Sequence, residues 1–514
     1  MPDTIVVLDF GGQYCHLIAR RIREQGVYSE ILPCDALPEE VLSLSNNLNI
    51  KGIIMSGGPS SVYEENAPEF SEGILSLGLP ILALCYGHQL IAHLSGGDVK
   101  RAEKREYGLT YVTIDSPSLV LKGLEKKERV WMSHSDTVYS LPDHFEVMAH
   151  TDGCPIAAFR HMSKAIYGLQ WHPEVAHTEH GSIMLHNFLF EICGCEANWN
   201  PVSLVEKAVE EIQKGCGEKK AILALSGGID SSTVAILAAK AIGPNLIAVF
   251  VDHGFMREGE PELVKRTFTE LGVNIVLVDA QKRFMERLKG IIDPEAKRRL
   301  IGEEFIRVFE DVARQKGAEY LLQGTIYPDR IESGARRHSD RIKTHHNVAG
   351  LPSQMMFKAI IEPLRDLYKD EVRHVAKSLG LPEQILSRQP FPGPGLAVRI
   401  IGELTSEKLN LARKAHRIVE EEVENDKSFR GDLWQYFPVL TDTRSTGVKG
   451  DSRAYGNVLA LRFVESQEAM TASFARAPYD LLQRVSTRIT NELPEVTRVV
   501  YDISNKPPAT IEWE

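Results

Sequence analysis

The sequence predicts two doubly wound α/β domains in series, each built on an open parallel sheet, followed by a smaller α+β domain. Three observations carry this reading. In the first third of the chain, apolar runs of strand length end in turns that open helices: Ile5 to Asp9 stops at Phe10-Gly11-Gly12-Gln13, Gly52 to Met55 at Ser56-Gly57-Gly58-Pro59, and Pro80 to Leu84 at Cys85. The alternation restarts at Ala221 to Leu225 and continues through Leu246 to Asp252, Asn274 to Asp279 and Tyr320 to Gly324. Past the proline- and glycine-rich stretch Leu381 to Gly395 it stops, and strands and helices follow without a strict βα order. Two breaks, Ala197 to Pro201 and that second stretch, divide the chain into 1–197, 198–389 and 390–514.

A length of 514 residues suits about three domains at ~150 residues each. With 43% hydrophobic and 25% charged residues the chain has the make-up of a soluble globular protein. A net charge of −11 excludes a global electrostatic pull toward nucleic acid or an anionic membrane, so an anionic substrate must be met by a local basic site. The seven cysteines are scattered, with none after Cys216, which argues against a disulfide framework and for a reducing cytoplasm. Met1 to Gln13 runs straight into a strand without a basic, apolar leader, and no apolar run approaches ~18 residues, so neither secretion nor membrane spanning is expected.

The first helix, about Leu17 to Gln25, is expected to turn its arginines outward. After the next strands, Cys85 occupies a strand-to-helix turn that pushes its side chain out of the sheet, with a helix N-terminus behind it that favours the thiolate. A lone cysteine is more often a small buried hydrophobe. Its company changes the reading: Gln170-Trp171-His172-Pro173-Glu174 follows the strand Ala165 to Leu169. His172 can take the thiol proton, and Glu174, two residues on along an extended segment, can orient the imidazole.

ALCYGHQ and HPE together resemble the class I glutamine amidotransferases. The resemblance implies a Cys85-His172-Glu174 triad that releases ammonia from glutamine. It further implies an oxyanion hole from backbone amides near Gly57-Gly58 and at Tyr86, and glutamine binding by Gln89 and by Ser133, His134, Ser135 and Asp136. Ser135 departs from the glycine usual in that family. The histidine pairs His134 with His144 and His177 with His180 lack the spacing that would complete a tetrahedral site, and no zinc is expected.

The second domain opens with an amphipathic helix, Pro201 to Lys214, and centres on Leu223 to Thr233, LALSGGIDSST. Ser226 to Ser232 reads as a turn ahead of a helix from Thr233 to Ile242. Its two glycines let the backbone approach an anion, while Ser226, Ser231, Ser232 and the first helical amides donate to it. No lysine stands where GxxxxGK[ST] needs one; Asp230 lies inside the loop instead, which suits a carboxylate holding Mg²⁺ against phosphate oxygens. Ser226, Gly227, Gly228, Ile229, Asp230, Ser231 and Ser232 resemble the loop of the N-type ATP pyrophosphatases. That resemblance implies cleavage of ATP to AMP and pyrophosphate while an acceptor is adenylated. Thr325 to Pro352 is too polar for a core element; it is either a solvated loop or a lid whose Lys343, His345 and His346 would face a triphosphate.

In the third domain the sequence predicts a helix of about twenty residues from Ser406, strands at Trp434 to Leu440 and Asn457 to Val464, a helix at Pro478 to Glu492 and a last strand at Arg498 to Ile503. The closing NKPPATIEWE is too apolar and proline-bound for a loose tail and is expected to dock. The order of domains, with KTHHNVAGLP, FPGPGL and KPPATIEWE, resembles the GMP synthetase family over essentially the whole chain. The resemblance implies that ATP with Mg²⁺ activates the C2 oxygen of xanthosine 5′-monophosphate (XMP) and that ammonia displaces AMP to give GMP. It places Lys343 on the phosphates and XMP against Arg307, Gln435, Arg498, Lys506, Ile511 and Glu512, in a homodimer formed through the C-terminal domain. Enzymes of the same type that thiolate tRNA should carry a basic face or paired cysteines, which this acidic chain lacks. A non-catalytic sensor would have lost the thiol, the base or the loop, and all three are present.

Overall fold

The computed structural model describes residues 1–334, 357–431, 433–466 and 472–514, and the chain forms two compact units with their sequence boundary between Asn200 and Pro201. The first unit is built on nine strands: β1 (Asp3–Asp9), β2 (Tyr28–Pro33), β3 (Asn49–Met55), β4 (Ile81–Leu84), β5 (Asp98–Ile114), β6 (Lys127–Ser140), β7 (Phe145–His150), β8 (Ala158–His161) and β9 (Ile166–Leu169). They form one sheet in the order β2-β1-β3-β4-β9-β8-β7-β5-β6.

Only the half from β2 to β9 is parallel. Its central strands β1, β4 and β9 are buried almost throughout, as a sheet covered on both faces requires. The other half, β8-β7-β5-β6, is antiparallel and corrects the expectation of a purely parallel sheet. Its strands escape a search for apolar runs because β6 alternates buried and exposed positions, with one face wet.

The Cys15–Glu24 helix corrects a second expectation. Arg23 points inward, donating to Ser29 Oγ at 3.0 Å and Ser29 O at 2.8 Å, with its guanidinium 4.3 Å from the Tyr28 ring centroid and 5.4 Å from that of Trp199. Burial is tolerated because the fork is paired and stacked.

The second unit holds β10 (Ala221–Ala224), β11 (Leu246–Asp252), β12 (Ile275–Asp279), β13 (Tyr320–Leu322) and β14 (Ala359–Ile361), all parallel, in the order β12-β11-β10-β13-β14. The winding reverses between β10 and β13, so the ends of these strands define the crevice where ligands collect in such sheets. Part of the stretch expected to be a solvated loop or a lid is not loop: Tyr327–Gly334 is helical and Tyr327 is fully buried.

A mixed sheet of β15 (Gln435–Lys449), β16 (Ser452–Glu465), β17 (Ser473–Phe474) and β18 (Val496–Tyr501) completes the unit, with the helices Ser406–Asn425 and Tyr479–Glu492. The hairpin of β15 and β16 is longer than its apolar stretches because its polar ends stay paired as far as Lys449 and Ser452. One apolar core runs from Ile222 through Leu396 to Val496. The tail is docked, with Ile511 packed among Phe437, Val439, Ala460, Val464 and Ala472. Glu514 pairs with the buried Lys297 and accepts from Gly402 N at 3.2 Å.

Candidate active sites

Cys85 directly follows β4 and caps the Tyr86–Leu94 helix with φ 50° and ψ −101°, the one non-glycine residue of positive φ among the described residues. Such a turn holds the thiol at the strand end, at a cost on the order of 1–3 kcal/mol in backbone strain. Packing around it is close. A Cβ on Gly57 would stand 3.1 Å from His172 Cε1 and 3.4 Å from Cys85 Cβ, so a glycine there leaves room for thiol and imidazole together. His172 Nδ1 lies 2.7 Å from Glu174 Oε1, both side chains being buried, and Arg21 Nε donates to Glu174 O at 3.0 Å. Burial opposes charge on His172, but the Glu174 carboxylate, followed by Cys85, outweighs it and holds the imidazole well above the usual histidine value. The residues from Gln170 to Glu174 turn away from β9 and are not extended, yet the pair forms.

Ser133 O is 3.7 Å from Cys85 Sγ. Gln89 Nε2 donates to Asp136 O at 2.9 Å and to Gln170 Oε1 at 3.1 Å. Tyr86 opens its helix, where amides have no intrahelical acceptor, and Gly58 sits against Phe10 and Tyr86. Ser135 lies on β6 between His134 and Asp136. His134 does not face the thiol; its ring is engaged by Glu106 at 3.1 Å and by Asp136 O at 2.8 Å. The Asp136 carboxylate accepts from Ser61 Oγ at 2.5 Å and Tyr63 OH at 3.0 Å, two hydroxyls the sequence did not single out.

At the second site, the helix after β10 starts at Ile229, four residues earlier than expected, with Gly228 as its N-cap. Asp230, Ser231 and Ser232 therefore occupy its first turn, where Ser231 Oγ and Ser232 Oγ bond back to Gly228 O at 3.1 and 2.7 Å and are satisfied within the helix. Gly227, at φ +77°, makes the bend that such a start needs, and Ser226 Oγ lies 3.0 Å from Ser231 Oγ.

The lysine missing from the loop arrives from elsewhere: Lys369 Nζ, at the start of the Lys369–Ser378 helix, stands 2.5 Å from Asp230 Oδ2. Asp230 Oδ1 is buried without a hydrogen-bond partner among the described residues. A carboxylate oxygen left open beside a phosphate cradle fits Mg²⁺, which takes one or two carboxylates plus phosphate oxygens. Arg388, paired with Glu260 at 2.9 Å, borders Gly227. Lys343 lies outside the described residues.

The six residues expected around a nucleotide are only partly gathered. Gln435 Nε2 donates to Pro390 O at 2.8 Å, and Glu512 accepts from Nη2 and Nε of the fully buried Arg399, at 2.7 and 3.1 Å. Arg399 also stacks on Phe437, 3.8 Å from the ring centroid. Lys506 pairs by its backbone with Ala472, which packs beside Ile511. Arg498 is apart from these: it pairs with Val458 of β16 whereas Gln435 pairs with Val464, six residues away, or about 20 Å at ~3.3 Å per residue. Arg307 lies ten residues beyond Lys297 on its helix, about 15 Å from the tail's anchor at ~1.5 Å per residue, and bonds Glu304 at 3.4 Å. Arg399 and Lys369, like Ser61 and Tyr63, were not found from the sequence. The only local signals were that Arg399 follows FPGPGL and Lys369 opens a helix beside acidic residues.

Fold and sites together define a glutamine amidotransferase unit joined in one chain to an ATP-binding unit of the PP-loop class. The description "Glutamine amidotransferase class-I" matches residues 6–192, "PP-loop domain" residues 201–382 and "GMP synthase C terminal domain" residues 421–513. A protein of Caldicellulosiruptor saccharolyticus named GMP synthase [glutamine-hydrolyzing] is 54% identical over 514 residues, covering 100% of this chain and 99% of that protein. Proteins of the same name from Clostridium perfringens and from a Synechococcus strain are each 50% identical over all of this chain, covering 100% and 97% of their own lengths. The chain belongs to the glutamine-hydrolysing GMP synthase family.

Proposed function

We propose that this enzyme makes GMP from XMP with glutamine as nitrogen donor and ATP as co-substrate. What carries the reading is that a buried thiol–imidazole–carboxylate set and an SGGIDSS loop stand in one chain, matched over its whole length by proteins named for this reaction. Cys85 attacks the side-chain amide of glutamine, and His172, oriented by Glu174, holds the thiol proton and returns it to the departing ammonia. The acyl group left on Cys85 is then hydrolysed to glutamate. Amides at Gly57-Gly58 and Tyr86 would take the developing oxyanion, and Gln89 with Ser133 to Asp136 would hold the amino-acid end.

In the second unit the Ser226–Ser232 cradle binds the phosphates and Lys369 offsets their charge, with Lys343 in the same role. Asp230 would hold Mg²⁺, which when bound neutralises charge on the pyrophosphate as it leaves. The adenylated C2 oxygen of XMP then departs with AMP as ammonia attacks. Gln435, Lys506, Ile511 and Glu512 are proposed to bind XMP, together with Arg307 and Arg498. We assign ammonia release to 1–197, adenylation to 198–389, and nucleotide binding and homodimer formation to 390–514. Exposed Val500, Ile503 and Trp513 on the last segment support a self-association surface. Seven free cysteines and the absence, among the described residues, of a helix long and apolar enough to cross a membrane support a cytoplasmic setting.

The test is one assay with ATP, Mg²⁺, XMP and glutamine. AMP, pyrophosphate and GMP should appear together, and only when XMP is present. Formation of ADP and phosphate would overturn the reading of the loop, and sedimentation at micromolar protein reads the dimer.

A further inference from the structure

We propose that Glu106, on β5, is a positioning residue for glutamine hydrolysis that holds the Ser133–Asp136 segment in place through His134. This rests on the assignment of that segment to glutamine binding made above. The ladder between β5 and β6 runs from Thr113 opposite Lys127 to Glu106 opposite His134, then jumps to Arg101 opposite Asp136, leaving Ala102 to Arg105 against Ser135 alone. At such an irregularity the regular ladder no longer fixes the backbone.

Side chains take over that task. His134 Nδ1 is 2.8 Å from Asp136 O and Nε2 is 3.1 Å from Glu106 Oε2, with both side chains buried. A carbonyl can only accept, which fixes the ring proton on Nδ1 and sets Nε2 against the Glu106 carboxylate in a buried contact. Glu106 Oε1 accepts from Thr151 Oγ1 at 2.8 Å, and Thr151 Oγ1 in turn accepts from Gly153 N at 3.2 Å and Cys154 N at 2.9 Å. Burial would raise the Glu106 carboxyl, but the bonds from His134 and Thr151 hold it below the usual carboxylate value.

The held segment touches the chemistry at both ends. Asp136 O takes Gln89 as well as His134, so both its lone pairs are used, one of them by the helix behind Cys85. Ser133 O lies against Cys85 Sγ. Slack of about 1 Å at a substrate-positioning element is enough to cost on the order of a hundredfold in rate.

Three substitutions in the full-length enzyme separate geometry from charge. Glu106→Gln keeps the reach: its amide can donate to Nε2 of a neutral His134 whose Nδ1–H still meets Asp136 O, and its oxygen still accepts from Thr151. Glu106→Asp keeps the charge and loses one methylene, and Glu106→Ala loses both. Positioning predicts a KM for glutamine that rises least in E106Q, more in E106D and about ten- to a hundredfold in E106A, with kcat changing less. Iodoacetamide, which needs no glutamine site, should alkylate Cys85 at the same rate in all three, while inactivation by a γ-diazoketone analogue of glutamine should slow in the order of the KM values.

An E106D enzyme close to wild type beside an impaired E106Q would overturn the proposal, since charge and not reach would then matter. So would an unchanged KM throughout, or equal slowing of both reagents. If E106A does not fold, the order of the other two decides. Glutamine-dependent activity that survives Cys85→Ala would overturn the site assignment itself and the proposal with it, a failure distinct from that of Glu106.

Discussion

His172 Nδ1 stands 2.7 Å from Glu174 Oε1, closed off from water on both sides of the contact, although the two residues lie in a turn. The contact raises the imidazole in the folded state, so its stabilisation is full below the unfolded histidine value of about 6.5 and is lost as pH climbs through the folded value. Glu174→Gln should therefore weaken the first unit at neutral pH and less so at alkaline pH. It should also lower kcat for glutamine about 10²–10⁴-fold and move the alkaline limb of kcat/KM to lower pH. Urea unfolding and rate profiles across pH test both, and an alkaline limb that stays in place would separate Glu174 from His172.

Cys85→Ala should abolish glutamine-dependent GMP formation, because only that thiol is placed to carry the acyl group. Ammonium at alkaline pH, supplying free ammonia, should still be used. Product analysis with each nitrogen donor checks this, and glutamine use by the variant would remove Cys85 from the mechanism.

His88 has an effect of opposite sign. It is fully buried, stacked on Phe159 with ring centroids 4.7 Å apart, and burial, with the His134 charge next, pushes it down to about 3. The unfolded chain then binds a proton that the native one refuses, so stability is lost as pH falls from about 6.5 toward 3. The loss is on the order of a few kcal/mol over that window. Acid unfolding followed by tryptophan fluorescence should show a shallower dependence for His88→Gln; equal slopes would mean that other groups dominate.

How much of this was legible in the sequence follows from the range of each contact. Cys85 could be read because strand, turn and helix are contiguous, and His172 with Glu174 because they are two residues apart. Lys369 could not, since 139 positions separate it from Asp230 and nothing in the loop calls for it. Arg399 reaches Glu512 across 113 positions in the same way. The strands β5 to β8 stayed hidden because their wet faces break up the apolar runs, and Arg23 because a buried guanidinium depends on Ser29 and Trp199 arriving from other elements. The start of the helix at Ile229 was hidden because Ser231 and Ser232, which bond back to Gly228 O inside its first turn, are side chains that suit a loop equally well.

Lys369→Ala should slow pyrophosphate release from ATP in the presence of XMP by about ten- to a hundredfold, the usual scale for losing a charge-assisted contact. Glutamine hydrolysis measured without ATP should be unchanged. A variant that releases pyrophosphate at the normal rate would leave Lys369 as a partner of Asp230 alone.

Glu512 gives the sharpest test of the tail. Its carboxylate is held by Nε and Nη2 of the fully buried Arg399, and the next anchor, Glu514, is held by Lys297. A base edge that donates to Glu512 would therefore meet a carboxylate already fixed in direction, which lowers the entropy lost on binding. Glu512→Gln keeps the size but removes the charged acceptor, and XMP affinity should fall about ten- to a hundredfold, the scale of one hydrogen bond to a charged group. The same change weakens the pairing of a buried guanidinium, so a lower Tm is expected as well. Arg399→Lys separates the two effects, because it loses the bidentate hold and leaves the Glu512 carboxylate in place. If XMP affinity follows Tm across both variants, Glu512 acts only through the fold. If E512Q loses affinity beyond an R399K enzyme of equal Tm, the carboxylate itself touches the nucleotide. Calorimetric titration of XMP, with Tm measured on the same samples, decides between them, and unchanged affinity in E512Q would remove the tail from the nucleotide site.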